Sequence, residues 1–328
     1  MKAFLKFLSV SLIVIILLCV LPAFLLTITA FLGALDWRLD LTSHFRPWYL
    51  IIEIVALFLF AILQKKRLAL CTLIFLILNT IPLLPLYLKP ASSNHSGIRF
   101  KLIQFNVCAP AKDYAPLSHY LSHEKPDLVV MEECADRCVN HLKRDEAWKQ
   151  YPYQFRKVPY RHRLVVLSKF PIKAVSTPDL PADPAVSLLT LDVHHQPINL
   201  FIMHSTRPSS GSPYYKNQIE QFKQIAQLAV KNQLPFLMVG DLNVSPWNYS
   251  FGLLLRESHL KNSMDGFGFQ PSFPTFVPHF DRVPVFPVIP IDHVLVSRHF
   301  SVLNRHTGPR LQSDHLPLIV ELGLHPGT

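Results

Sequence analysis

The sequence predicts an α/β domain standing behind an N-terminal membrane region. Three observations carry this. The first 90 residues hold long apolar runs, short apolar runs alternate with a helical pattern from Ile98 onward, and several of those runs end in Asn, Glu, His or Asp. Strands alternating with helices indicate an α/β domain. Polar groups gathered at strand ends indicate one shared site.

The membrane region comes first in the chain. Crossing a bilayer takes about 20 largely apolar residues, and three stretches qualify as candidates: 7–35, 48–63 and 68–88. The first is uncharged. Lys2 and Lys6 precede it as they would a signal peptide, but the run is longer than a signal core and shows no small-x-small cleavage site, so a retained helix is expected. The second is short and holds Glu53. Lys2 and Lys6 lie before the first span and Lys65, Lys66 and Arg67 between the second and third, which sets both basic flanks inside and everything after Pro90 outside. Residues 36–47 then form an outer loop, and Glu53 sits near the outer interface within reach of water. Residues 1–89 are read as the membrane region, 90–97 as a linker rich in small polar residues, and 98–328 as the α/β domain.

Charge narrows the function without naming it. The chain carries 32 basic and 22 acidic residues; the first 90 hold 8 and 3 of them, leaving 24 and 19 beyond. That modest surplus suits an anionic substrate or a membrane surface and lacks the dense basic stripe of a duplex-DNA binder. Cys19 and Cys71 fall in the apolar runs. Cys134 and Cys138 have a spacing seen in some metal sites, but no second His or Cys pair completes one. Small buried thiols are the simpler reading, with a disulfide involving Cys108 open in an oxidising compartment.

Strands are expected at 99–106, 127–133, 198–204, 235–243, 290–297 and 316–321, a further one at 163–170, and a helix at 214–232, where Ile219, Phe222, Ile225, Ala226 and Ala229 recur at helical spacing. Asn106, Glu133 and His204 end their strands. Gly240-Asp241-Leu242-Asn243, Asp292-His293 and Ser313-Asp314-His315 follow in order. This ordered set, over roughly residues 98–323, resembles the endonuclease/exonuclease/phosphatase superfamily. The resemblance implies a four-layer α/β sandwich, two packed β-sheets flanked by helices, here preceded by three transmembrane helices.

It also implies roles. Glu133 is the leading metal ligand, with the Asn106 amide oxygen and Asp314 beside it. Mg²⁺ is the expected ion and Mn²⁺ the second candidate, since hard cations prefer such oxygens. His315 matches the catalytic histidine, with Asp292 orienting its ring and stabilising its charged form. Asp241 would align or deprotonate water, Asn243 would donate to a phosphoryl oxygen, and His204 would donate to phosphate or protonate the leaving group. Each has a plainer reading taken singly: a helix cap for Glu133, a structural histidine for His204, a turn for Asp241 to Asn243. Their joint order favours chemistry. His293 is expected to be structural, because strand alternation turns it away from Asp292.

Two departures from the superfamily pattern stand out. Glu132 occupies a position commonly held by Gln; it either binds a second ion or points away. A basic cluster (Arg156, Lys157, Arg161, His162, Arg163) precedes or opens the strand at 163–170. It is either a solvated face or, through Arg161 and Arg163, a grip on a second phosphate or an anionic head group. Residues 266–290 hold Phe267, Phe269, Phe273, Phe276, Phe280 and Phe286 with many prolines. These rings either cover the sandwich edge or form an apolar lip against the bilayer. The Pro290-Ile291-Asp292-His293 context is similar to a membrane-bound bacterial branch that includes teicoplanin-resistance proteins. That resemblance implies membrane lipids as partners and a phosphorylated lipid, such as undecaprenyl pyrophosphate, as substrate. Nucleic acid is the alternative, which would make the protein an extracytoplasmic nuclease or phosphodiesterase.

Overall fold

A computed structural model describes residues 2–88, 97–107, 113–157, 163–182, 185–276 and 283–325. Three helical stretches are long and apolar enough to cross a membrane: Phe7–Ala30, Trp37–Ile62 and Lys66–Leu86. They are built on helices α1 (Lys2–Ala30), α2 (Trp37–Thr42), α3 (Arg46–Ile62) and α4 (Lys66–Leu83). On α1 the buried residues Ile16, Val20 and Phe24 recur every fourth position, and they meet Ala56 and Phe60 of α3. Phe24 stacks on Phe75 of α4 with ring centroids 4.0 Å apart. Most other large apolar side chains on these helices, such as Phe7, Leu18, Phe58 and Ile74, face outward. Outward apolar faces on all three helices are what a lipid solvent requires.

Two expectations for this region are corrected. Residues 36–47 are not an open loop: Asp36 caps α2 by accepting from Arg38 N at 2.8 Å, and a single 3₁₀ turn then leads into α3. Glu53 does not reach water. It is fully buried and accepts from Asn79 Nδ2 at 2.9 and 3.1 Å and from Thr27 Oγ1 at 3.4 Å. Three helices packed around one carboxylate supply the hydrogen bonds that water would have given.

Beyond Ile98 the chain forms two six-stranded sheets among the described residues. The first contains β1 (Ile98–Asn106), β2 (Leu128–Glu132), β3 (Tyr153–Lys157), β4 (Leu164–Ser168), β11 (Phe300–Thr307) and β12 (Leu318–Leu324), in the order β11-β12-β1-β2-β4-β3. The second contains β5 (Ile172–Ser176), β6 (Ala185–Val193), β7 (Gln196–His204), β8 (Phe236–Asp241), β9 (Lys261–Asn262) and β10 (Asp292–Val296), in the order β5-β6-β7-β8-β10-β9. Each sheet is mixed, with β1 parallel to β2 and β7 parallel to β8.

Strand alternation builds the layers. Leu102, Leu128, Val130, Leu200, Ile202, Leu237, Val239 and Val294 fill the space between the sheets. Their odd-numbered or even-numbered neighbours face the outer layers. Ile103, Val129 and Met131 meet α5 (Ala115–Glu124) and α6 (Asp136–Leu142), which the single turn α7 (Glu146–Lys149) follows, whereas Phe201, Phe236 and Met238 meet α8 (Ser212–Lys231) and α9 (Tyr249–Ser258). The result is the four-layer α/β sandwich expected from the sequence. Cys134 and Cys138 are disulfide-bonded to each other, so the reading of them as free thiols is corrected; Cys108 lies outside the described residues.

The three apolar helical stretches dock on the sandwich. Tyr215 Oη donates to Gly33 O at 2.8 Å, Asn248 Nδ2 to Asp40 O at 2.8 Å, and Tyr249 N to Asp40 Oδ1 at 2.6 Å. Leu83 and Leu86 pack with Trp247 and Met264. The aromatic segment joins this seam: Gly266 N and Gly268 N donate to Pro85 O and Leu86 O, and Trp48 Nε1 donates to Val288 O at 3.0 Å.

Candidate active site

The inter-sheet core runs out of apolar residues at one end of the sandwich. Continuing the inward-facing alternation of β1 gives Gln104 and Asn106; that of β2 gives Glu132, of β7 His204, of β8 Asp241 and of β10 Asp292. Register brings them together, with Asp292 opposite Asp241 and Asn106 opposite Glu132. Strand alternation that buries Leu, Ile and Val at one level thus buries carboxylates, amides and imidazoles at the next.

Asp292 and His315 form the centre. His315 Nδ1 lies 2.8 Å from Asp292 Oδ2, which also accepts from Ser272 Oγ at 2.6 Å, while Asp292 Oδ1 accepts from Gln104 Nε2 at 2.8 Å. Burial works against both charges, but each ion holds the other. Asp292 stays below the ordinary carboxylate range through His315, Ser272 and Gln104. The His315 imidazole, buried beside Asp292 and near Asp241, is raised to about 10 and is therefore a cation at neutral pH. Phe273 covers its ring with centroids 4.8 Å apart.

Asp241 links this pair to the rest. It is fully buried, and its Oδ2 lies 3.7 Å from His315 Nε2, 3.6 Å from His204 Nε2 and 3.1 Å from Asn106 Nδ2. Burial raises its pKa, an effect that His315 and His204 only partly offset. A carboxylate raised in this way is a stronger base than a solvated one. Asn243 N closes on Asp241 Oδ1 at 2.9 Å, and Asn243 Nδ2 donates to Ser205 O at 3.0 Å, so one of its two amide hydrogens serves the loop.

Glu133 follows β2 with a partly exposed side chain. Its Oε1 is 3.4 Å from Asn106 Nδ2, 3.9 Å from His204 Nε2 and 3.8 Å from Arg207 Nη2. Glu133 and Asn243 both adopt left-handed backbone conformations, φ 54° and 55°. Such strain in non-glycine residues costs on the order of 1–3 kcal/mol and collects at functional sites. Gly240 is required here by close approach: a Cβ on it would fall 1.9 Å from Met203 O.

The structure joins Asn106, Glu133, His204, Asp241, Asp292 and His315 in one connected cluster, with Asn243 held through Asp241. Asp314 is half-buried beside His315, its carboxylate 3.5 Å from Ser313 Oγ, which in turn donates to Asn106 O at 2.6 Å. Glu132 points away from Glu133 into the inter-sheet layer, where Gln104 Nε2 donates to it at 2.9 Å. Burial and the nearby Asp292 raise its pKa well above the usual range, so it holds its proton more tightly than a solvated carboxyl. His293 is structural: Nε2 sits 2.7 Å from Val244 O, the ring packs on Phe251, and burial lowers its pKa to about 4. Arg163 lies beside the site through its backbone, its carbonyl accepting from Cys134 N at 3.2 Å; among the described residues its buried Nε has no partner. Arg161 lies outside the described residues. Elsewhere in the basic cluster, Arg156 pairs with Asp136 and Lys157 Nζ donates to Val186 O.

Sequence reasoning missed Gln104, Ser272 and Arg207. Gln104 was available from alternation, two residues before Asn106, and Arg207 from its place just after a strand ending in His204. Ser272 gave no local signal, because a long loop brings it to Asp292.

Among the described residues one set gathers cation-ligand atoms, and a second is expected from the sequence by its chemistry. Asp241, Asp292 and His315 bring ligand atoms within 4.8 Å of one another, but Asp292 and His315 already satisfy each other. Glu133, Asn106 and Asp314 offer hard oxygen donors suited to a divalent ion such as Mg²⁺.

Known proteins share this fold. The family described as Endonuclease/Exonuclease/phosphatase family matches residues 103–315. A solved family protein from Bacteroides thetaiotaomicron superposes with a TM-score of 0.55 at 18% identity, covering 71% of this chain and 98% of that one. A mannosyl-6-phosphatase from the same organism gives 0.52 at 18% identity, covering 68% and 99%. The catalytic domain of human Nocturnin gives 0.53 at 14% identity, covering 70% and 96%. No curated protein sequence matches significantly.

Proposed function

The chain belongs to the endonuclease/exonuclease/phosphatase family, and from that premise we propose that it is a membrane-anchored, divalent-metal-dependent phosphohydrolase. Its substrate is a phosphorylated lipid, with undecaprenyl pyrophosphate the leading candidate, and it acts at the outer face of the cytoplasmic membrane. In this reading Glu133, Asn106 and Asp314 hold Mg²⁺, or Mn²⁺ in its place. When bound, the ion supplies charge neutralisation to the phosphoryl oxygens.

The remaining chemistry falls to the chain itself. Asp241, buried and raised in pKa, orients the attacking water and takes its proton. His315, kept cationic by Asp292, donates through Nε2 to a phosphoryl oxygen as negative charge builds there. Asn243 offers a further amide hydrogen. His204, between Glu133 and Asp241, is placed to protonate the leaving oxygen.

One observation carries the lipid assignment. A single loop touches both the catalytic histidine and the membrane helices: Phe273 packs on His315, Val288 O accepts from Trp48, and Gly266 and Gly268 bond to the end of the third helical stretch. Between these anchors Phe286 is 84% exposed and Val283 52%, an apolar edge in a loop already tied to the helices. Tethering raises the effective concentration of a membrane-bound substrate and does nothing comparable for soluble nucleic acid. The basic flanks support an outward domain, and the Cys134–Cys138 disulfide suits an oxidising compartment.

Replacing Phe286 by Ser tests the assignment. Turnover of lipid pyrophosphate in vesicles should fall roughly 30- to 150-fold, while hydrolysis of a soluble phosphodiester stays within about twofold, because ~2–3 kcal/mol of apolar contact with lipid is lost. Equal losses on both substrates would make the loop structural only. Faster turnover of duplex DNA than of any lipid would favour the nuclease alternative.

A further inference from the structure

A cavity lies away from the catalytic cluster, where the three apolar helices meet the sandwich. Its volume is about 350 Å³, and it is lined by Phe31, Gly33, Arg46, Trp247, Tyr249 and Arg256 among others. No catalytic or metal candidate lines it. It lies at the level of the end of α1, the start of α3 and Pro82 near the end of α4, which is one common end of the three helices.

The lining is built for an anion. Arg46 and Arg256 line it, and the carboxylate against its wall, Asp40 behind Gly33, is taken up by Tyr249 N at 2.6 Å. Arg46 is 2% exposed, stacks over the Phe31 ring at 4.1 Å and donates to Asn79 Oδ1 at 3.3 Å, which leaves its buried Nε without a hydrogen-bond partner. Trp247 is 8% exposed, and its buried Nε1 also lacks a partner. Arg256 is exposed beside the Tyr249 ring, and among the described residues neither arginine has an ion pair. Buried N–H groups left unsatisfied are rare and costly. Two of them belong to side chains that line one cavity, and together with the exposed Arg256 they supply the donor types that phosphate oxygens accept from.

We propose that this junction cavity binds the phosphate headgroup of an anionic membrane lipid. If the three helices span a bilayer, as the proposed function holds, their common end lies where lipid phosphates lie, so the ligand is present at high local concentration. Asn248 and Tyr249 on one wall bond directly to Asp40 in the second helical stretch, so a bound headgroup would clamp the sandwich against the helices. The site is independent of which ester the catalytic cluster hydrolyses.

Native mass spectrometry of the full chain in neutral detergent with excess chelator tests this, titrating phosphatidylglycerol against phosphatidylcholine. The wild type should retain one phosphatidylglycerol with about tenfold preference. Arg256→Gln and Trp247→Phe should each weaken retention on the order of tenfold, the usual effect of deleting a donor to a charged group. Both changes leave the buried Arg46 in place, so folding should survive, and hydrolysis of a soluble phosphodiester by Arg256→Gln should be unchanged. Equal retention of the two lipids, or undiminished retention in both variants, overturns the proposal. Displacement of the lipid by millimolar inorganic phosphate would assign the cavity to free phosphate and overturn the lipid source. Failure of the catalytic reading would show in turnover and not in this measurement.

Discussion

Replacing Gly240 by alanine should damage both stability and catalysis, and the structure gives the size of the effect. Gly240 has φ +148°, a conformation that side-chain-bearing residues rarely adopt, at a cost of about 1–3 kcal/mol. An added Cβ would lie 1.9 Å from Met203 O and 2.9 Å from Met203 C, so β7 and β8 must part by more than about 1 Å to restore ordinary contact. Strain and overpacking together should lower stability by roughly 2–4 kcal/mol, or on the order of 5–10 °C in Tm. Met203 precedes His204 and Gly240 precedes Asp241, so the same displacement separates a pair now 3.6 Å apart. A misplacement of about 1 Å commonly costs 100-fold in rate. Differential scanning calorimetry and turnover of a soluble phosphodiester measure the two effects. Gly252→Ala is the control: it lies in α9, and its Cβ would meet only the flexible end of Arg256 at 3.1 Å. Helix propensity there should leave stability unchanged or raise it by about 0.5–1 kcal/mol. Wild-type Tm and kcat in Gly240→Ala would refute the reasoning.

Glu133→Ala, Asp241→Ala and His315→Ala should each lose about 100-fold or more in kcat while keeping a cooperative melt, because they serve chemistry and not the apolar core; full activity in any one removes it from the mechanism. His315 has a folded pKa raised to about 10 against an ordinary value near 6.5, so its stabilising pairing with Asp292 is complete below about pH 6.5 and is lost as pH rises through about 10. NMR titration of the metal-free protein should show that high value, and Asp292→Asn should bring it down. Burial and the nearby Asp292 raise Glu132 well above its ordinary value of 4.5, so the folded chain holds this proton more tightly than the unfolded one and Glu132 destabilises increasingly as pH rises above about 4.5. Glu132→Gln should therefore gain stability at pH 7 compared with pH 4 and keep activity within a few-fold; a loss of more than about tenfold would give Glu132 a direct catalytic part.

Much of this site was legible because β-strands repeat every two residues. Once Leu128 and Val130 are taken as inward, Glu132 must be inward too and His293 must face away from Asp292, and both are found so. The order of motifs did the rest for Asn106, Glu133, His204, Asp241 and His315. What sequence could not give depends on contacts between distant segments. Ser272 reaches Asp292 through a loop, Glu53 is satisfied by Asn79 from another helix, and the strands β3, β5, β6, β9 and β11 carry weak or mixed patterns that only pairing partners resolve. The short helix α2 was hidden in a stretch where Asp36 and Asp40 read as loop residues. In the structure the first is an N-cap and the second bonds to the sandwich.

Turnover by the full chain in lipid nanodiscs, with undecaprenyl pyrophosphate and duplex DNA supplied separately and each run with Mg²⁺ and with excess chelator, tests the central claim most directly. Release of phosphate from the lipid that requires Mg²⁺ and vanishes in Asp241→Ala, at a kcat/KM at least about tenfold above that for DNA cleavage, is the predicted result. Lipid hydrolysis that persists in chelator, or that survives in Asp241→Ala, would contradict the assigned site. Cleavage of DNA in preference to the lipid would contradict the assigned substrate.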